Sequence, residues 1–350
     1  MMKKSLLALA LLGAFAGVAQ AQTSVVIYGS VDAGMIKRSD STLQIGKRAN
    51  NTLGFKGTED LGSGLKALFQ AEIRYEPDTG NIEQGAGGVT RPLFQGQSRV
   101  GLQGAFGMVR IGRGLTAFQE SSGQFEPFHG LPTPSGFQTD LAVAGYTSDP
   151  LGAPGNSTNR FNNAIFYNSP EVNGLQANLT LATKEANGAA AIVGNGTPAS
   201  PQFVANSEAA VTPYSLSTTY KSGPGAIMVA AERNAIATRL WSVAGYINAT
   251  PEWKLMASYQ RQNQDANKLV NPQTKSWVVG ANYTVGASKV LMGYGQKRPD
   301  GAMTVKQFSL GYEYSLSKRT YLYADASDKR GVNNVAKGIR FYSLGINHSF

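Results

Sequence analysis

The chain has 350 residues, 32 Lys and Arg against 22 Asp and Glu, a formal net charge of +10, and no cysteine. Without cysteine there is no disulfide framework, no thiolate nucleophile and no cysteine metal site. The cations are scattered singly, so no basic arm of the kind that grips nucleic acid is present.

Lys3 and Lys4 precede an apolar run from Leu6 to Val18, and Ala19-Gln20-Ala21 follows as a small-x-small triplet. Residues 1–21 therefore read as a cleavable export signal, with the mature chain, 22–350, starting at Gln22. The run falls short of the roughly 20 apolar residues that a spanning helix requires. Removing Lys3 and Lys4 takes the charge from +10 to +8. In an exported protein, such a balance points to a field acting on small anions.

From Ser24 onward the pattern has a period of two, as strands require. Val25, Ile27, Gly29, Val31, Ala33 and Met35 fall on one face, with Tyr28, Ser30 and Asp32 on the other. Leu53 and Phe55 oppose Thr52, Gly54 and Lys56; Ala67, Phe69, Ala71 and Ile73 oppose Lys66, Gln70, Glu72 and Arg74. At the C-terminus Tyr342, Leu344, Ile346, His348 and Phe350 share a face. Mean hydropathy is only −0.20, as alternation of lipid-facing and lumen-facing residues would make it.

Connections alternate between two kinds. Short turns fall at 58–64, 104–107, 169–174, 221–225, 249–252, 285–288 and 315–318, and long polar segments at 76–92, 114–159, 183–212, 261–274 and 330–337. Short turns on one side and long loops on the other are the habit of bacterial outer-membrane barrels. The count between them is about sixteen antiparallel strands, a size that leaves an aqueous channel. The Ala- and Gly-rich stretch 185–206 reads as a surface loop. A secreted β-sandwich also alternates, but it needs neither the loop asymmetry nor an aromatic last residue. A sheet in lipid must close on itself, which would pair the strand ending at Phe350 with the one beginning at Thr23.

Several segments resemble the general porins of β-proteobacteria, a family of trimeric 16-stranded barrels. They are 24–34 (SVVIYGSVDAG), 53–67 (LGFKGTEDLGSGLKA), 100–107 (VGLQGAFG) followed by Ile111-Gly112-Arg113, and 163–170 (NAIFYNSP), in the family's order. The resemblance implies a transmembrane β-barrel in the cell outer membrane, a water-filled channel for passive diffusion of small hydrophilic solutes and ions, and a homotrimer. Outer-membrane lipid and lipopolysaccharide, and the barrel-assembly machinery, would be its other partners. It also implies that Phe350 serves as an assembly signal, beside its suitability for an interfacial aromatic girdle.

By the same resemblance, the connection 114–159, too long for an ordinary loop, is the one that folds inward and narrows the lumen. It carries Glu120, Glu126, His129 and Asp140 with Phe118, Phe125, Phe128 and Phe137, and 125–130 (FEPFHG) resembles the family's loop tip. Aromatics would hold it to the wall while carboxylates face the passage. Opposite it, alternation puts Arg48, Arg74, Arg99, Arg110 and Arg160 on the lumen side; Arg160 stands where the family usually has an arginine. Rings of arginine favour anions, so weak anion selectivity is expected. Thr52 and Gly96 hold places where the family often has arginine, which thins the cluster.

Catalysis has little to work with. The two histidines, His129 and His348, form no cluster with carboxylates at metal-binding spacing, and no phosphate-binding glycine motif occurs. Neither enzyme activity, metal nor cofactor is expected. A substrate-specific channel, or an adhesin-type barrel with binding loops, remains as the alternative to a general pore.

Overall fold

The computed structural model describes residues 24–84, 91–152, 157, 159–186, 190–197, 200–205, 208–263, 273–332 and 336–350. The export signal expected at 1–21 lies outside them. The strands in chain order are β1 Ser24–Arg38, β2 Leu43–Gly46, β3 Asn51–Gly62, β4 Leu65–Tyr75, β5 Gln97–Gly104, β6 Gly107–Leu115, β7 Arg160–Asn168, β8 Leu175–Ala182, β9 Ala190–Thr197, β10 Ser200–Ala205 and β11 Tyr214–Ser222. They continue as β12 Gly225–Arg233, β13 Arg239–Asn248, β14 Trp253–Asn263, β15 Thr274–Val285, β16 Ser288–Pro299, β17 Val305–Ser315, β18 Thr320–Arg330 and β19 Ile339–Ser349.

Apart from the β9–β10 hairpin, these strands form one antiparallel sheet that closes where β1 meets β19, from Ser30 opposite Ser349 to Arg38 opposite Phe341. Phe350 completes the seam: its N–H donates to the Gly29 carbonyl, and the Gly29 N–H donates back. A side chain at Gly29 would lie 2.1 Å from the Thr52 carbonyl oxygen and 2.7 Å from the Phe350 ring, so only glycine lets the ring settle there. Closure leaves no unpaired edge, which is what hydrocarbon demands of a sheet.

β2 and β3 are the upper and lower pieces of one strand. Both pair with β1, but Gly34 faces Gly46 while Ser30 faces Thr52. Six steps of chain thus match four, and residues 47–50 bulge inward. With β2 and β3 counted as one, the ring has sixteen strands. The bulge frees backbone groups, and two side chains take them up: Asn51 Oδ1 accepts from the Asp32 N–H, and Asp32 Oδ1 accepts from the Arg48 N–H. Tyr323 and Asn347 also donate to the Asp32 carboxylate, so this buried charge is fully bonded. The stretch read as a plain surface loop, 185–206, instead contains the β9–β10 hairpin; its Gly and Ala content hid the alternating pattern.

Outward residues are apolar to a degree that water would not tolerate. Val25, Ile27, Val100, Ile111 and Leu344 are each more than half exposed, and at about 25 cal/mol per Å² such a belt needs lipid around it. No helix among the described residues is long and apolar enough to cross a membrane; the strands do the crossing.

The packed core lies inside the ring. Between β6 and β7 the chain turns into the barrel, through helix α1 (Ala117–Ser122) and 3-10 turns at Gly123–Phe125 and Leu141–Val143. The helix starts where the Thr116 hydroxyl accepts from the Gln119 N–H at 3.3 Å. Phe118 and Phe125 pack on Met228, Leu240 and Ala244 of the inner wall. Phe128, Phe137 and Leu141 pack on Val278, Leu291 and Val305.

Candidate functional site: the charged lumen

The inward segment fits because the wall behind it lacks side chains where it would need room. A Cβ at Gly293 would stand 2.6 Å from the Phe137 ring and 2.9 Å from Pro127 Cγ; one at Gly280 would stand 2.3 Å from Pro127 Cγ. Polar contacts complete the seat. Ser215 accepts from the Phe118 N–H at 3.0 Å, Ser121 and Ser217 share a hydrogen bond of 2.8 Å, and Asn282 donates to the Pro127 carbonyl at 2.9 Å. Gln307 donates to the Gly136 carbonyl at 3.1 Å. All four phenylalanines of the segment are buried.

Two of its carboxylates reach across the lumen to cations. Glu120 lies between Arg99 at 2.8 Å and Arg110 at 3.1 Å. Burial pushes its pKa up, but Arg110 and Arg99 outweigh that and hold it below the ordinary value. Asp140 bonds to Lys297 and, at 2.6 Å, to Lys329. Burial acts on it in the same sense, and the two lysines again win. The arginines expected by alternation therefore meet Glu120, while Asp140 meets lysines that sequence reasoning passed over.

Glu126 does otherwise. Its side chain is turned into the segment, where its oxygens accept from the Gly130 and Phe137 N–H groups at 2.8 and 2.9 Å. It is buried and does not face the passage, and this burial raises its pKa to about 7 despite those bonds. The reason is local: the turn from Glu126 to Gly130 leaves backbone donors without partners, and the nearest acceptor folds back on them. His129 adopts a left-handed backbone with φ of 56° and is exposed to lumen water. The enclosing walls, Lys289 and Lys254 still hold its pKa down to about 4, so at neutral pH it is uncharged.

The remaining expected arginines divide. Arg48 rides on the inward bulge and is buried, donating to Asp325 at 2.9 Å and Glu313 at 2.7 Å, with its guanidinium 4.9 Å from the centre of the Tyr323 ring. Arg74 stands near Glu72 at 3.6 Å. Arg160 is only 2% exposed; it donates to the Gly96 carbonyl and to Asn159. It is thus enclosed in the wall rather than presented to the passage. Gly96 leaves no space for a side chain, since a Cβ there would be 2.2 Å from the Glu72 carboxylate. Thr52 exchanges a hydrogen bond of 3.3 Å with Ser30.

Sequence reasoning missed Lys56, Lys254 and Lys289, all inward by alternation. Lys56 lies 5.1 Å from the Tyr28 ring centre, Lys254 lies 4.1 Å from the Tyr246 ring centre and donates to the Gln124 carbonyl, and Lys289 stands 3.8 Å from Glu313. The parity of each strand was the signal that could have found them. Among the described residues no cluster of His, Asp and Glu could hold a metal ion.

A profile of Gram-negative porins matches residues 8–334. Outer membrane porin protein 32 of Delftia acidovorans is 32% identical over 99% of this chain and 95% of its own length. An outer membrane porin protein of Bordetella pertussis is 29% identical over 93% of this chain and 94% of its own. Among solved structures, an anion-selective porin from Comamonas acidovorans superposes with a TM-score of 0.76 at 23% identity, covering 94% of this chain and 100% of that one. That likeness is one of fold.

Proposed function

The chain belongs to the Gram-negative porin family, whose members are outer-membrane channels for small hydrophilic solutes, and from that premise we propose that this channel passes anions in preference to cations. The observation behind the proposal is how the lumen carboxylates are shared. Glu120 lies between Arg99 and Arg110, Asp140 between Lys297 and Lys329, and Glu313 between Arg48 and Lys289. Lys56 and Lys254 have no carboxylate partner among the described residues. Glu120 and Asp140 are each outnumbered two to one, Glu313 shares Arg48 with Asp325, and with Lys56 and Lys254 the wall keeps an excess of positive charge that water in the passage screens only partly.

In this proposal segment 114–159 is the constriction, Arg99, Arg110 and Arg74 supply field at it, and Arg48 and Arg160 brace the wall. Planar-bilayer recording under a salt gradient tests it. The expected reversal potential has the sign of anion preference; cation preference would overturn it.

Three copies associate through the apolar outer arc from β3 to β8, where Phe69, Val100 and Ile111 are exposed. Mass measurement in detergent should give a trimer, and a monomer would count against this. Phe350, paired to Gly29 at the seam, acts as the assembly signal; Phe350→Ala should leave less protein folded in the membrane. The rest of the outer wall meets membrane lipid and lipopolysaccharide.

A further inference from the structure

On the outward face from β12 to β19, cations stand directly opposite cations. Arg233 faces Arg239 across β12 and β13. Arg261 faces Lys275, and Lys275 faces Arg298, across β14, β15 and β16. Lys306 faces Arg330 across β17 and β18. Each belongs to the outward series of its strand: Arg239 with Trp241 and Val243, Lys275 with Val279, Lys306 with Phe308 and Leu310. Directly opposed side chains have Cβ atoms about 5 Å apart, and like charges there destabilise a sheet. A folded barrel that repeats this arrangement at four strand pairs has something negative to set against it.

Around Arg261, Lys275 and Arg298 the described residues supply little. In this row Arg330 bonds to Asp328 at 2.8 Å, whereas among the described residues Arg298 bonds to Gln296, Arg261 to Asn263, and Arg233 to the Thr212 carbonyl while lying over the Tyr214 ring, none of them a carboxylate. No carboxylate lies within ion-pair distance of Lys275 or Lys306 among the described residues.

The height of the row is marked by aromatics. Trp241, Tyr259, Trp277 and Phe308 each stand two residues nearer the barrel's middle than Arg239, Arg261, Lys275 and Lys306. Trp241 packs on Tyr259 with ring centres 5.3 Å apart, and Trp277 on Tyr294 at 5.6 Å. Such aromatics sit at the border between hydrocarbon and headgroups. The cations therefore lie at headgroup level, on the side of the long connections. They are confined to one arc: the outward positions at the same ends of β4, β5 and β8 are Ile73, Ser98 and Leu181.

We propose that this row is a binding site for the phosphate groups of lipids in the leaflet on the long-connection side, the outward arc β12–β19 being the lipid-facing part of the wall. The proposal rests on the reading of the chain as an outer-membrane porin and adds to it the site and the chemistry. The guanidinium groups of Arg261 and Arg298, two strands apart, grip neighbouring phosphates in two-pronged fashion, and Lys275 adds a compact charge between them.

The test compares the wild type with Arg261→Gln/Lys275→Gln/Arg298→Gln, refolded in a nonionic detergent and given a diphosphorylated lipid A. Wild type should retain the lipid through native mass spectrometry, and the triple variant should retain it on the order of a hundredfold less. The same lipid stripped of its phosphates should bind both proteins equally weakly. Without lipid the variant should melt no lower than wild type, because its repulsions are gone; that sign separates a lost ligand from a damaged fold. Equal retention by both proteins would overturn the proposal, as would binding that ignores the lipid's phosphates. Inorganic phosphate at matched concentration that displaced the lipid or raised wild-type melting equally would also overturn it, making the row a collector of free anions. Bilayer conductance of the same samples keeps the two readings apart. If both proteins conduct yet retain lipid equally, only the lipid site falls; if neither conducts, the porin reading falls.

Discussion

Along the inner wall from β11 to β17 the positions directly behind the packed rings are small or apolar, and along β3 to β7 the inward positions are rich in charge. Ser215, Ala226, Met228, Gly280, Leu291 and Gly293 belong to the first arc; Lys56, Arg74, Arg99 and Arg110 belong to the second. The first arc holds the inward segment chiefly by shape, through rings seated over glycine and serine, with the ion pair of Asp140 and Lys297 beside them. The second receives it by charge, through Glu120 alone. A segment fixed on one side mainly by packing and bridged on the other by a half-buried carboxylate leaves a passage whose width and electrical sign are set by different residues. Width should therefore be separable from selectivity by mutation.

The strongest break of that separation is at the packed side. Gly293→Val puts carbon where the Phe137 ring and Pro127 already are. Overpacking of this sort costs about 1–3 kcal/mol, and here the segment can relieve it by lifting off the wall. Single-channel conductance should rise while the reversal potential keeps its sign. Unchanged conductance would mean that the segment does not define the width.

On the charged side, Glu120→Gln frees Arg99 and Arg110 from their shared acid. A unit charge at about 4 Å is worth about 1 kcal/mol even in bulk water, so the anion-to-cation permeability ratio should climb several-fold, up to about fivefold. Conductance should change little, because the phenylalanine seats remain. A fall in the ratio would show that Glu120 does not act on the permeating ion.

A pH titration of channel noise probes the packed side in a third way. Seated in the wall, Glu126 loses its proton near 7; freed from the wall it would do so near 4.5. The seated state thus binds more protons between those values, so seating is strongest below about 4.5 and weakens as pH rises to about 7. The loss, about 3 kcal/mol if the whole difference is realised, should appear as more flickering at pH 8 than at pH 5. Glu126→Gln should flatten that dependence. Glu120 and Asp140, held low by their cations, stay ionised across the range and add nothing to it.

The ring, its count and its alternation were legible in the residues, because a period of two and alternating connection lengths are local features. The seam at Gly29 and Phe350 followed from closure. Two elements were not legible. The bulge at 47–50 depends on Asp32, Tyr323 and Asn347, which lie far away in sequence and meet only when β1 closes on β19 and β18. Glu126 reads as a pore carboxylate by composition, yet its fate is decided by backbone donors that appear once the turn to Gly130 forms. Lys297 and Lys329 as partners of Asp140 likewise require the segment to cross the barrel. Strand parity gives each inward residue its side; it cannot say which of them the loop will touch.

Arg160 sets the smallest expected selectivity effect against the clearest structural one. Alternation and the family pattern both pointed to it as a wall charge acting on ions. Enclosed and donating to the Gly96 carbonyl, its guanidinium instead ties the start of β7 to the residue just before β5. A charge presented to the passage moves the reversal potential when removed; a charge enclosed in the wall leaves an unsatisfied carbonyl behind, at a cost of about 1–3 kcal/mol. Arg160→Met should therefore lower the melting temperature in detergent and leave the reversal potential nearly where it was, whereas Lys56→Gln should shift it modestly toward cations with melting unaltered. If Arg160→Met moved the potential more than Lys56→Gln did, the arginine would belong to the conducting wall after all, and the division between bracing and field-bearing cations would have to be redrawn.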